Sequence, residues 1–132
     1  MTLIDTNVLL DLFTDDPNWS ARSAAQLDRL ALVGQLLLNE IVYAELSVSF
    51  ATPDAVDEAL ARIDIKLTPT PRGALFLAGK AYRRYRSSGG TRTGVLSDFL
   101  IGAHAAAAGL PLLTRDARRY RTYFPTVELI TP

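Results

Sequence analysis

The residues Thr2-Leu3-Ile4-Asp5-Thr6-Asn7-Val8-Leu9-Leu10 decide the fold, because an apolar triplet delivers an aspartate and a helix-prone run follows at once. Such a stretch reads as a strand that ends in a carboxylate. In an open α/β sheet, ligands bind in the crevice beyond the carboxyl ends of the strands, so Asp5 is well placed for chemistry. Two later segments aim acids at the same place. Leu112-Leu113-Thr114-Arg115-Asp116 is again a short apolar strand ending in Asp, and Ser97-Asp98 opens an apolar helix. A fourth acid, Glu45, lies inside the run 41–48.

Working outward, residues 8–13 are expected as a short helix, broken by Thr14-Asp15-Asp16-Pro17, in which Asp15 and Asp16 read as solvated turn residues. Asn18 is the expected N-cap of the next helix, whose apolar Trp19, Ala24, Leu27, Leu30 and Ala31 recur at helical spacing up to Gly34. A buried strand over 36–38 follows, then Asn39 as the cap of a helix running to about residue 50. Thr52 caps another, with Pro53 at its first position and Asp54 in its first turn. A third strand is expected over 63–67, a long helix over 72–86, a loop over 87–94 and a helix over 97–108. The chain then closes with the fourth strand, a short helix over 117–120 and a final strand over 127–130. The loop segment Ser88-Gly89-Gly90-Thr91-Arg92-Thr93-Gly94 has the flexibility of a phosphate cradle but lacks the spacing and the Lys of a P-loop, and is expected as a mobile, basic rim. Strands alternating with helices call for a parallel sheet with helices on both faces, since parallel strands need crossover connections.

A chain of 132 residues fits one domain, spanning 1–132. Its 48% hydrophobic and 21% charged residues exclude a disordered tail. The absence of Cys excludes a disulfide framework and thiolate metal sites, so any metal must be held by oxygen ligands or by the single His104. The longest apolar run, 99–110, is too short to span a bilayer, and the chain is expected to be soluble and cytoplasmic. A net charge of zero hides a partition: residues 1–64 hold eleven acids against three bases, and residues 65–132 hold three against eleven. Such asymmetry points to a nucleic-acid or metal partner, or to solvated faces that folding intermixes.

The DTNVLL opening, the mid-chain YAEL, the SDFLIGAHA segment and LLTRD, in that order, resemble the PIN-domain ribonucleases, and most closely the toxin subunits called VapC in bacterial toxin-antitoxin pairs. The resemblance implies a three-layer α/β/α domain around a central, mainly parallel five-stranded sheet. It also implies a metal-dependent endoribonuclease, held inactive by a small VapB-like antitoxin and assembled as a homodimer. Asp5, Glu45, Asp98 and Asp116 carry over as the acidic set. Asp5 and Asp98 are then the direct or water-mediated metal contacts, Asp116 binds metal or orients the attacking water, and Glu45 acts through water. Asn7, Ser97 and Thr114 match the polar residues that hold those carboxylates in place. Mg²⁺ or Mn²⁺ suits the set, because both prefer carboxylate and water oxygens and an ion of charge two relieves the repulsion of crowded acids. For phosphodiester hydrolysis such an ion lowers the pKa of water and neutralises developing charge.

Alternatives stand beside this reading. Asp98 has a second explanation in its helix's first turn, and Asp116 has one as a helix cap. Arg83, Arg84, Arg86 and Arg92 read either as a favourable solvated helix end or as RNA contacts, and Arg115 as a screen for the acids or a phosphate contact. Arg118, Arg119 and Arg121 with Tyr120 and Tyr123 are candidates to follow an RNA backbone. His104, among small residues mid-helix, reads as a satisfied core histidine rather than a general base, and Gly102 beside it marks close helix packing. Glu45 has Ile41, Val42, Val48 and Ser49 as same-face neighbours and no local partner, so its charge is expected to face the shared site. A non-catalytic PIN-like RNA- or protein-binding module is the alternative function. A phosphoacceptor hydrolase ranks lower, because the second Asp such sites want two residues after the first is here Asn7.

Overall fold

In the computed structural model, which describes residues 1–132, five strands form one sheet: β1 (Thr2–Ile4), β2 (Leu36–Leu38), β3 (Ile65–Leu67), β4 (Leu112–Leu113) and β5 (Leu129–Ile130). Their order is β3-β2-β1-β4-β5 and every pairing is parallel, with Leu3 beside Leu37 on one side and Leu112 on the other. All residues of β1, β2 and β4 are buried, as near-continuous apolar runs must be when helices cover both faces. The edge strands are less enclosed: in β3 only Ile65 is buried, and β5 is half-buried throughout.

Seven helices make the crossovers: α1 (Thr6–Phe13), α2 (Ser20–Ala31), α3 (Glu40–Ser47), α4 (Pro53–Arg62), α5 (Arg72–Ser87), α6 (Leu96–Ala108) and α7 (Ala117–Tyr123). Parallel crossovers are right-handed, so connections made on the way out to β3 cover one face and those made afterwards cover the other. The result is the three-layer α/β/α architecture. The core joins Leu3, Ile4, Leu38 and Leu113 of the sheet to Val8, Leu9, Val42, Leu46, Phe99 and Ile101 of the helices. Phe99 is a hub for aromatic packing, with Tyr82, Tyr85, Tyr123 and Phe124 around it at centroid distances of 5.1–6.2 Å.

Several element ends differ from expectation. The first helix starts at Thr6 rather than Val8, because Asp5 itself is the N-cap. The second is preceded by Trp19, not capped by Asn18; the Asp16 carboxylate instead accepts from the backbone N–H groups of Asn18 and Trp19 at 2.8 and 3.0 Å. Asp16 is therefore a turn-forming residue rather than a merely solvated one. The third strand begins only at Ile65, since Asp64 adopts a left-handed φ of 51° that breaks extension. Helix α3 stops at Ser47, short of residue 50, and α7 runs on to Tyr123. Gly102 lies where α7 folds back on α6: a Cβ there would sit 2.4 Å from Phe124 Cδ2.

The chain adds β2 and β3 on one side of β1 and then crosses over to add β4 and β5 on the other. The switch falls between β1 and β4, whose C-terminal ends lead into Asp5 and into Thr114-Arg115-Asp116. Connections there diverge to opposite faces and leave a crevice.

Candidate active site

A cavity of about 230 Å³ opens at this switch point, lined by Asp5, Glu45, Asp98 and Asp116 together with Thr6 and Tyr120. Each acid arrives from a different element. Asp5 ends β1, Glu45 projects from α3, Asp98 from the first turn of α6, and Asp116 follows β4.

Asp5 is only 5% exposed. Its Oδ1 accepts from the Thr6 backbone N–H at 2.7 Å, and its Oδ2 accepts from Thr114 Oγ1 at 2.7 Å and from the Tyr120 hydroxyl at 3.0 Å. Burial still pushes its pKa up to about 6; the hydrogen bonds from Thr114 and Tyr120 oppose that shift, and the charge of Asp98 adds to it. Tyr120 is 2% exposed, and burial with Asp5, Asp98 and Glu45 nearby raises its pKa well above the ordinary value, so it stays a donor. The Asp98 carboxyl is likewise raised, chiefly by desolvation and further by Glu45 and Asp116, against the opposing pull of Arg119. Arg119 on α7 pairs directly with Asp98. These mutual influences mark the acids as one electrostatic unit.

Of the two alternative explanations, the helix cap fails for Asp116, while Asp98 does lie in the first turn of its helix. Asp116 stands at the N-cap position of α7 but its carboxylate makes no cap bond; its backbone N–H instead donates to Thr114 Oγ1 at 3.0 Å. Asp98 has Arg119 as its hydrogen-bond partner, not its helix's backbone. Glu45 departs from expectation in having a partner within the protein, for Thr6 Oγ1 donates to its Oε1 at 2.7 Å. Glu40, on the same helix, faces away, and its carboxylate accepts from the Thr70 backbone N–H at 3.0 and 3.2 Å.

Of the polar residues expected to steady the acids, Thr114 reaches Asp5 directly. Asn7 does not touch an acid; its Oδ1 accepts from the Arg115 backbone N–H at 3.2 Å, which fixes the turn after β4. Ser97 is half-buried beside Asp98 on α6 and is not one of the residues lining the cavity. His104 is 2% exposed and lies 3.2 Å from Asn39. The Asn39 Oδ1 accepts from Ile41 and Val42 N–H, so its Nδ2 donates to His104 Nδ1 and the ring proton sits on Nε2. Burial lowers the pKa of this histidine, which is a neutral core residue.

Among the basic candidates, Arg115 is turned to Asp11, its Nε 3.0 Å from a carboxylate that Ser23 Oγ also bonds at 3.0 Å. Its guanidinium lies 5.0 Å from the Trp19 ring, an arrangement that ties the turn after β4 to α1 and α2. Arg83, Arg84 and Arg86 are exposed near the end of α5, and none lines the acid cavity. Arg92 lies in the loop after α5, which is anchored rather than free: its backbone N–H donates to the Tyr85 hydroxyl at 3.1 Å, and Gly90 packs so tightly that a Cβ would be 2.5 Å from that ring.

Sequence reasoning missed the roles of Tyr120, Arg119 and Asp11. Tyr120 and Arg119 were candidates for RNA contact, yet both point at acids. Tyr120 meets Asp5 across 115 positions of sequence, a separation that leaves no local signal. Thr6 was the legible omission, since it directly follows Asp5.

Could the set hold a divalent ion? No three of its acids form a ready ligand cage. Mg²⁺ does not need one, because it keeps several waters and takes one or two protein carboxylates plus substrate oxygens. Asp5 uses three of its roughly four acceptor sites on protein donors and keeps one free. A buried and a half-buried carboxyl, both with raised pKa values, beside two further acids form a site that a cation relieves, and the residues fit such an ion.

Comparisons with known proteins bear on the fold and the family. The fold matches the VapBC2 complex of Rickettsia felis bound to a promoter DNA fragment, with a TM-score of 0.73 at 19% identity, covering 98% of this chain and 97% of that one. It also matches FitAcB of Neisseria gonorrhoeae, with a TM-score of 0.69 at 24% identity over 98% and 96% of the two chains. VapBC-5 of Mycobacterium tuberculosis matches with a TM-score of 0.60 at 26% identity over 99% and 98%. A search of curated proteins gives no match. The family model described as the PIN domain matches residues 2–125. That span holds all seven helices and the first four strands, and with them all four acids, so the chain belongs to the PIN domain family.

Proposed function

We propose that this PIN domain is a metal-dependent endoribonuclease of the VapC type, the toxin of a toxin-antitoxin pair. The observation that carries the reading is the convergence of Asp5, Glu45, Asp98 and Asp116, from four separate elements, on one cavity at the sheet's switch point. Asp5 and Asp98, with Asp116, would hold Mg²⁺ or Mn²⁺. When bound, the ion supplies charge neutralisation at the phosphate and lowers the pKa of water.

The chain's own residues do the rest. Thr114, Tyr120 and the Thr6 N–H fix the Asp5 carboxylate in one orientation, and Tyr120 keeps its proton throughout. Glu45, steadied by the Thr6 hydroxyl, would orient the attacking water and accept its proton as the water oxygen bonds phosphorus and the bond to the leaving ribose oxygen breaks, that oxygen taking a proton from solvent. Arg119 neutralises Asp98 in the ion-free site, and would be free to pair with the phosphate if an ion took over that carboxylate.

The VapBC and FitAcB likenesses support a small antitoxin as partner. A homodimer and a cytoplasmic location belong to the same reading; no helix is long and apolar enough to cross a membrane. The test is cleavage of purified RNA, titrated with Mg²⁺ and Mn²⁺, set against hydrolysis of a small phosphate ester. RNA cleavage that needs the ion, stops in chelator and is lost in Asp5→Asn is the expected result. Undiminished cleavage by Asp5→Asn, or ester hydrolysis without RNA cleavage, overturns the proposal.

A further inference from the structure

Beside the acid cavity lies a second one of about 420 Å³, lined by Arg92, Arg118, Arg119, Tyr85, Thr122 and Tyr123. The two share a border, for Asp116 lines both and Arg119 reaches from the second cavity to Asp98 in the first. Their electrostatics are opposite. Arg119 is the only one of the three cavity arginines that forms an ion pair; the chain's other pairs involve Arg62 and Arg115, which leaves Arg92 and Arg118 without an acidic partner. Arg92 is also held in place, because its backbone N–H donates to the Tyr85 hydroxyl and Gly90 packs on the same ring. The Tyr85 hydroxyl, having accepted that bond, keeps its own proton to donate. A concave site of guanidinium and hydroxyl donors, three arginines against the single acid Asp116, suits an anion with several acceptor oxygens.

The geometry points to this cavity as the subsite for the phosphodiester next to the scissile one. The inference rests on the RNA-cleaving reading and adds to it the place where the rest of the strand is held. Its position follows from the shared border: a group bound here lies beside whatever sits among the four acids. Arg83 and Arg86 lie outside the cavity and are not part of the subsite.

The test uses the full chain carrying Asp5→Asn, so that RNA is bound and not cut, and a fluorescein-labelled single-stranded oligoribonucleotide whose anisotropy is followed as KCl is raised. Adding Arg92→Gln and Arg118→Gln should weaken binding at low salt by about tenfold. It should also flatten the log–log salt slope by about 0.7 for each phosphate that the protein no longer neutralises. Arg29→Gln with Lys66→Gln removes the same charge from exposed positions elsewhere and should leave the slope as it was. Equal effects of the two pairs, or no effect of the first, overturn the subsite. The two readings fail separately. Ion-dependent cleavage by the wild type with an unchanged slope in the cavity variant keeps the nuclease and removes the subsite. A flattened slope without any cleavage by the wild type removes the nuclease, and with it the place beside a scissile bond, and leaves the cavity as an RNA-phosphate site alone.

Discussion

Lowering the pH from 7 to 4 should stabilise the ion-free protein through Asp5, and Asp5→Asn should remove that gain. In the folded chain burial raises this carboxyl from its ordinary 3.8 to about 6. Between those values the native state holds a proton that the unfolded chain has lost, so stability from this group falls as pH rises through the interval and is restored as pH drops. At about 1.4 kcal/mol per pH unit, the gap between 3.8 and about 6 amounts to about 3 kcal/mol. Other carboxyls titrate over the same range, so the readout is a difference. Urea unfolding of wild type and Asp5→Asn is followed at pH 4, 5, 6 and 7 in chelator, and because the unfolded carboxyl is already partly ionised at pH 4, the wild type should lose about 2 kcal/mol of that total more than the variant on going from pH 4 to pH 7. Saturating Mg²⁺ should shrink that difference at pH 7, because a cation beside the carboxylate favours its charged form. Parallel pH profiles for the two proteins in chelator would refute the account of Asp5 as a buried, unfavourably charged acid.

Arg119→Gln should tighten Mg²⁺ binding several-fold in calorimetric titration, since it removes the cation that Asp98 now faces; weaker binding would mean that Arg119 helps to build the ion site. Glu45→Gln should lower turnover by about 10–100-fold with little change in melting temperature, whereas Glu40→Gln should keep turnover and cost less than about 1 kcal/mol through its bond to Thr70. The reverse pattern would reassign the second acid. Gly102→Ala should destabilise by about 1–3 kcal/mol, because its Cβ would press on Phe124 where α7 meets α6. Since α7 carries Tyr120 and Arg119, ion affinity should fall with it, and a variant as stable and as tightly ion-binding as wild type would show that α7 has freedom to shift.

Local chemistry made much of this protein legible from its residues alone. Apolar triplets such as Thr2-Leu3-Ile4 and Leu36-Leu37-Leu38, bounded by polar residues, suit buried strands, and Asn39 and Thr52 mark helix starts whose capping bonds span three residues or fewer. Caps and periodicity act within a turn or two, so such signals survive in sequence. The strand order was a different matter: five strands are legible one by one, but alternation of strands and helices calls for a parallel sheet without placing β4 beside β1, and the arrangement of the five rested on the resemblance to PIN domains.

What tertiary structure decided is how charges from the two halves of the chain meet. The sequence segregates acids before residue 65 from bases after it. Folding brings Asp98 and Asp116, two of the three acids of the basic half, to Asp5 and Glu45 of the acidic half, and sets Arg92, Arg118 and Arg119 in the adjoining cavity. Which of the tyrosines on α7 serves the site was equally hidden, for Tyr120 and Tyr123 share a short helix and only its docking on α6 turns Tyr120 to Asp5 and Tyr123 to the basic cavity. Asp11 reads in sequence as one more polar residue of an amphipathic helix, yet it is 2% exposed and paired with Arg115 from the far end of the chain. Burial and long-range pairing set those roles, and neither is a property of any short stretch of residues.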